Sequence, residues 1–303
     1  MAEGNAEVLA RRARREARRE AQRAANVIRA AKMREARLLY ERSQRCVPEP
    51  PPSHPERKID PARPEVHVGC SGWYYWHWRG AFYPNELPGS QWFPRYADAF
   101  DTVELNAPFY SWPTVATVKT WLRQLGARRR PFKYAVKVNE LITHRKRRVG
   151  TRTLVRDFGH IADLMGGRLG CFLFQLPPSL HYTPATLRRI LSQLDPHRPN
   201  VVEFRHRSWW NDIVYAAFRD AGVTFCSCSG PRLPDELVRT SDDVYLRFHG
   251  TKQWYRHDYT KEELAVWTER IKRSGAKRVW AYFNNDRNGY AIKNARELRR
   301  QLL

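Results

Sequence analysis

Three pairs of polar side chains stand at alternate positions near the ends of apolar runs: Glu104 and Asn106 in TVELN, Glu203 and Arg205 in VVEFR, Arg247 and His249 in YLRFH. Two carboxylates set among cations can divide acid and base work, because the one nearer a cation stays ionised while the drier one has its pKa raised. On this reading Glu203 is the general acid or base and Glu104 its partner. Arg205, Arg247 and Lys137 form a clamp for an anion, and Gln175, His249, Asn284, Asn285, Ser71 and Asn106 complete the substrate-binding set. The competing reading is an internal network of Glu and Arg that only ties the fold together.

Strands are the elements that would position these pairs. Residues i and i+2 of a strand share a face, so each pair points one way while Val103 with Leu105, Val202 with Phe204, and Leu246 with Phe248 point the other. Strands of a parallel sheet are buried on both faces, and charges at their carboxyl ends are either costly or the lining of a site. Five further runs, VHVGCS (66–71), FKYAVKV (132–138), LGCFLFQL (169–176), GVTFCSC (222–228) and RVWAYFN (278–284), bring the count to eight. Each is followed by a helical pattern or by a loop leading to one, the rhythm of a TIM-type (β/α)₈ barrel. An open doubly wound sheet is the alternative. The closed barrel is preferred because polar residues finish nearly every strand (Ser71, Asn106, Lys137, Gln175, Arg205, His249, Asn284), as loops ringing one mouth require.

Helix punctuation agrees. Thr183 and Pro184 read as N-cap and first-turn proline, Thr260 with Glu263 has capping-box spacing, and Gly222 closes SWWNDIVYAAFRDA. The chain divides into a basic helical arm over residues 1–47, a proline-rich linker over 48–65 and the barrel over 66–303. The arm carries an apolar, mostly alanine stripe (Ala10, Ala13, Ala17, Ala21, Ala24, Ile28, Ala31), which offers little area to bury. It reads as a solvated tail, as a basic arm gripping nucleic acid through residues 8–45, or as a helix that docks on a partner or on its own barrel. Because the linker should carry few contacts, the arm is expected to be separable.

The chain carries a formal net charge of +23, of which residues up to 65 account for +6, so the barrel holds +17. A field of that sign favours anionic partners. RRR at 128–130 and HRKRR at 144–148 could grip phosphates, although charge runs are more often solvated faces. The loop NNDRNG after the last strand, with a helix beginning near Gly289, has the form of a phosphate seat, and also of a plain turn. The aromatic segment GWYYWHWRGAFYP (72–84) suits either stacking on a ring or a lid over the core. Neither a P-loop, a dinucleotide fingerprint nor a GxSxG elbow is present. A metal held by Glu104, Glu203, His249 and His144 is disfavoured by the neighbouring cations, so no metal or other cofactor is expected. Five cysteines without metal spacing imply buried thiols, and with no apolar run near ~20 residues and no signal-type apolar core, a cytoplasmic protein free of the membrane is expected.

The strings VGCSGWYYWHWRGAFYP, FDTVELNAPFY, FKYAVKVNELITH, FLFQLPPSL, VEFRHRSWW, YLRFHG and YFNND resemble, in order, those of the domain-of-unknown-function 72 family, also called YecE-like. The resemblance runs from about Val66 to the C-terminus and implies a TIM-type barrel without an established activity. The arm falls outside it. The expected protein acts on an anionic small molecule, phosphorylated ones included, at the barrel mouth, as a hydrolase, an isomerase or an enzyme-derived binder. The alternative is a nucleic-acid-associated protein.

Overall fold

The computed structural model describes residues 2–44, 64–126, 131–146 and 149–303. Eight parallel strands form a nearly closed barrel: β1 (Glu65–Cys70), β2 (Thr102–Leu105), β3 (Lys133–Lys137), β4 (Leu169–Gln175), β5 (Asn200–Glu203), β6 (Thr224–Ser229), β7 (Asp243–Phe248) and β8 (Arg278–Phe283). Their hydrogen-bonded order is β1-β8-β7-β6-β5-β4-β3-β2. The seam between β1 and β2 closes differently. A Cβ on Gly69 would lie 2.4 Å from the Thr102 carbonyl oxygen, so only glycine permits this approach. The Tyr96 hydroxyl enters the seam, accepting from the Cys70 amide (2.8 Å) and donating to the Thr102 carbonyl (3.0 Å). Both strands thus keep a partner where the ladder stops.

Around the sheet lie α2 (Trp92–Ala99), α3 (Ala107–Tyr110), α4 (Val115–Gln124), α5 (Arg152–Met165), α6 (Pro184–Ser192), α7 (Asp212–Asp220), α8 (Lys261–Arg273) and α9 (Tyr290–Leu302). The caps are those read from the sequence. The Thr183 hydroxyl accepts from the Thr186 amide, Thr260 and Glu263 satisfy each other's backbone, and Gly222 follows α7 at φ +63°. One expected helix is missing. Between β6 and β7 residues 230–242 run as a loop, and no helix covers that turn of the barrel.

The alternation of the strands separates two apolar layers. Val103, Leu105, Val202, Phe204, Leu246 and Phe248 face outward into the main core beneath the helices, each contributing about 1.5–3 kcal/mol when fully buried. Inside the barrel sit Ala135, Cys171, Leu173, Val201, Cys226, Cys228, Tyr245, Trp280 and Tyr282. Trp280 plugs the amino end, stacked on His67 at 4.2 Å, donating to Asp243 at 3.1 Å and pressed so close to β4 that a Cβ on Gly170 would meet its ring at 2.7 Å. Cys70, Cys171, Cys226 and Cys228 are free, buried thiols. None of the described helices is long and apolar enough to cross a membrane.

The long helix α1 (Ala2–Gln44) follows the docked reading of the arm over its second half. Residues 7–20 are exposed throughout, but beyond them Ala30 and Met33 are buried and α1 packs along α5. Its grip is largely polar. Asn26 donates to the Tyr110 carbonyl (3.0 Å) and accepts from the Trp112 amide (2.9 Å), Arg29 meets Ser111, and Arg37 pairs with Asp157 of α5 at 3.0 Å and with Glu41 at 2.6 Å. The alanine stripe itself faces solvent, and the buried face is Asn26, Ala30, Met33 and Arg37, which offers little apolar area, so side-chain hydrogen bonds fix the helix in place. The linker up to residue 63 and the run 128–130 lie outside the described residues, while Glu65, at the expected end of the linker, opens β1.

Candidate active site

Because the inward face of each strand ends at the carboxyl rim, all eight strands deliver side chains to one mouth: Ser71, Glu104 with Asn106, Lys137, Gln175, Glu203 with Arg205, Cys228, Arg247 with His249, and Asn284. Arg247, 1% exposed, stands at the centre. Its Nη2 lies 2.6 Å from Glu104 Oε1 and its Nη1 2.6 Å from Glu203 Oε2, and both carboxylates are wholly buried. Glu104 also accepts from the Ser71 hydroxyl and from the Tyr245 phenol, each at 2.6 Å. Glu203 is held besides by Arg205 Nε and by the Cys228 thiol at 3.6 Å, with His249 Nε2 at 3.3 Å.

The electrostatics follow from that wiring. Burial alone would raise the Glu203 pKa, but Arg205, Arg247 and His249 outweigh it and hold the carboxyl well below the usual range. Burial works against the Arg247 charge, and Glu104 with Glu203 overcome it. His249 is pushed well below the ordinary histidine value, first by burial and then by Arg205, whose Nη2 lies 3.1 Å from the ring nitrogen, so the imidazole is neutral. Lys137 is the exception. Burial, then Arg247, lowers its pKa to about 7, and its Nζ sits 4.0 Å from the Phe109 ring centroid with no ion pair or hydrogen bond among the described residues.

The remaining expected residues separate into two groups. Gln175 lies level with Glu203 across β4 and β5, Asn284 Nδ2 approaches His249 Nδ1 at 3.3 Å, and Asn106 donates to the Ser71 carbonyl at 3.2 Å while its own Oδ1 is buried without a partner. These belong to the mouth. Asn285 does not: its amide donates to the His257 carbonyl and to Asn294, both at 2.7 Å, bracing the loop onto α9. The phosphate seat expected at 284–289 is covered, because His77 and Trp78 from the aromatic segment close on the Asp286 carbonyl at 2.6 and 3.4 Å. That segment is mainly a lid, with Trp78 and Tyr83 buried, although Tyr74 and Trp76 remain exposed.

Two more expected residues have surroundings that bear on their roles. Both ends of the Arg247 guanidinium are taken by carboxylates in a buried layer. Glu203 is held ionised by three neighbours, which suits it to accept a proton rather than to donate one. Glu203, Cys228 and His249 bring ligand atoms within 4.8 Å of one another, a metal-like grouping that includes neither Glu104 nor His144. Arg205 and Arg247 occupy the Glu203 oxygens and Arg205 faces the His249 nitrogen, so a cation there would meet two guanidinium groups. Tyr245 and Cys228 escaped the sequence reading as site residues, although Tyr245 lies two residues before Arg247 on the inward face and Cys228 is the last residue of the run GVTFCSC. Phe109, from the single-turn helix α3, and Trp254, which stacks over Arg205 at 4.6 Å from the loop after β7, carried no periodic signal.

A family model described as "Protein of unknown function DUF72" matches residues 67–303. The chain is 23% identical over 269 residues to the UPF0759 protein YunF of Bacillus subtilis, covering 77% of this chain and 93% of that protein. The crystal structure of a DUF72 family protein from Thermotoga maritima superposes with a TM-score of 0.71 at 27% identity, covering 78% of this chain and 99% of that one. One from Enterococcus faecalis gives 0.66 at 18% identity, over 78% and 95%, a likeness of fold.

Proposed function

The chain belongs to the DUF72 family, and from that premise we propose that its barrel is an enzyme acting on a small anionic molecule at the mouth, with Lys137 rather than Glu203 moving the proton. One observation carries this reading: two carboxylates are matched by two guanidinium groups, Arg205 and Arg247, leaving the Lys137 amine as an unpaired base whose pKa falls to about 7. A general base is most useful when its pKa lies near the working pH. Glu203 then acts through its charge, fixing Arg205 and the neutral His249, while Arg205, with 10% of its side chain exposed, offers the ligand a cation. The barrel's net charge of +17 would draw anions toward it. An anion seated beside Lys137 raises the amine's pKa, so binding near pH 8 takes up a proton. Calorimetry of a panel of phosphate esters and small carboxylates, in buffers of different ionisation enthalpy, should show that uptake in the parent and none in Lys137→Met. Equal uptake in both would sink the assignment.

A second reading, nucleic-acid association, is favoured by the exposure of α1 over residues 7–20, which carry Arg11, Arg12, Arg14, Arg15, Arg18 and Arg19. Each phosphate contact adds about 0.9 to the slope of log affinity against log salt. Replacing the six arginines by glutamine should therefore lower that slope for duplex DNA or RNA by several units. An unchanged slope removes the arm from any such role.

A further inference from the structure

Where the barrel lacks a helix between β6 and β7, loop 230–242 and the loop after β7 form an open pocket of about 670 Å³, lined by Pro231, Arg232, Thr251, Lys252, Gln253, Trp254 and Arg256, its three cations exposed. Three of the seven are cations and none is acidic. Among the described residues, Arg232, Lys252 and Arg256 form no ion pair and donate no side-chain hydrogen bond, whereas Asp235 of the first loop and Asp258 just beyond the second pair instead with Arg270 and Lys293. Carboxylates are therefore present in the same region, yet the pocket's cations are left without them.

The walls are built to hold their shape. Arg232 and Tyr255 take left-handed backbone conformations at φ 66° and 67°, two of only three non-glycine cases among the described residues, each a strain that the surrounding structure must enforce. Gly250, at φ 105°, lets the second loop fold so tightly that a Cβ there would lie 2.5 Å from the Gln253 carbonyl oxygen. The Tyr255 amide donates to the His249 carbonyl at 2.6 Å, tying the loop to the rim. Trp254 is the shared wall: it lines the pocket and also stacks on Arg205 at 4.6 Å and approaches His249 at 5.4 Å. The edge of its ring comes within 3.0 Å of a Cβ built on Gly230, so glycine is what lets the first loop pass.

We propose that this pocket binds a phosphate group, with Arg232, Lys252 and Arg256 as its cationic ligands. Arginine and lysine donors without internal acceptors, set in a concave surface free of carboxylates, are the chemistry that recognises a doubly charged oxyanion. The pocket is the distal anchor for the phosphorylated end of the substrate, a clause that rests on the mouth reading above. Its reacting end would then lie beyond Trp254, beside Arg205 and Lys137. The substrate class is a phosphate ester long enough to reach from one side of Trp254 to the other.

Pyrophosphate and inorganic phosphate, titrated calorimetrically at low salt, test the site itself. Arg232→Ala and Arg256→Ala should each weaken pyrophosphate binding at least tenfold. Arg273→Ala, on the exposed face of α8, controls for the general field of a chain this basic. If it weakens binding as much as the pocket variants, or if the pocket variants bind like the parent, the pocket proposal is overturned. If binding survives in them and is lost in Lys137→Met, the anion sits in the mouth; the pocket proposal fails and the mouth reading stands. If the pocket variants lose pyrophosphate and Lys137→Met takes up protons like the parent, the pocket stands and the mouth reading fails.

Discussion

Two arginines of this protein are buried between two carboxylates each, and they have different surroundings. Arg37 sits in the seam between α1 and α5, with Asp157 nearly buried and Glu41 one-third exposed. Arg247 sits in the barrel with Glu104 and Glu203 both sealed from water. In the seam a ligand would find nothing left over. At the mouth two more basic side chains, Arg205 and Lys137, crowd the same carboxylates, and one of them has no partner. A charge network that closes on itself is a tie, whereas one that leaves a buried amine unmatched is a candidate site.

The largest expected effect separates the two arginines directly. Removing one member of a buried charge set strands its partners, at about 3–5 kcal/mol. Arg247→Met leaves two sealed carboxylates, although Arg205 still compensates one, and should lose that much in urea denaturation. Arg37→Met strands one buried carboxylate while Glu41 turns to water, and should lose about 1–3 kcal/mol. Equal losses would erase the contrast, and a neutral Arg247→Met would mean that the barrel does not depend on its central cation.

A smaller, pH-dependent effect sharpens the comparison, because only the mouth has a misfit charge. The Lys137 pKa is lowered in the folded chain from 10.5 to about 7. Between those values the unfolded chain binds the extra proton, so stability rises with pH across this window, and the cost of the buried ammonium is fully present below it. Lys137→Met should therefore be roughly 2–4 kcal/mol more stable than the parent at pH 6, with the gain shrinking toward zero near pH 10. Urea melts at pH 6 and pH 9.5 measure it. A gain that does not change with pH would show that the amine is not depressed, and would take the proposed base with it.

Much of the site was legible in the chain because strands alternate. The pairs Glu104/Asn106, Glu203/Arg205 and Arg247/His249 announced an inward polar face, and the eight runs fall within a few residues of the observed strands. Asn285 misled because it ends a strand run in sequence while its amide is turned back onto α9. Arg247 was legible in part: its position on the inward face was right, but whether a guanidinium is free depends on carboxylates from β2 and β5, far away in the chain. That α1 docks rather than stays solvated was hidden because Asn26 and Arg37 look like ordinary polar residues of a solvated helix.

The sequence by itself determined the parallel barrel, the polar mouth at its carboxyl ends, the helix caps and the surplus of positive charge, since all of these depend on period, composition and local stereochemistry. Only the tertiary structure decided which charges neutralise one another. Pairing energies depend on distances of a few ångströms between strands separated by as many as 143 residues in the chain, and on the loss of water around them. That decision holds Glu203 ionised, ties Arg247 between two carboxylates, and brings the Lys137 pKa down to about 7.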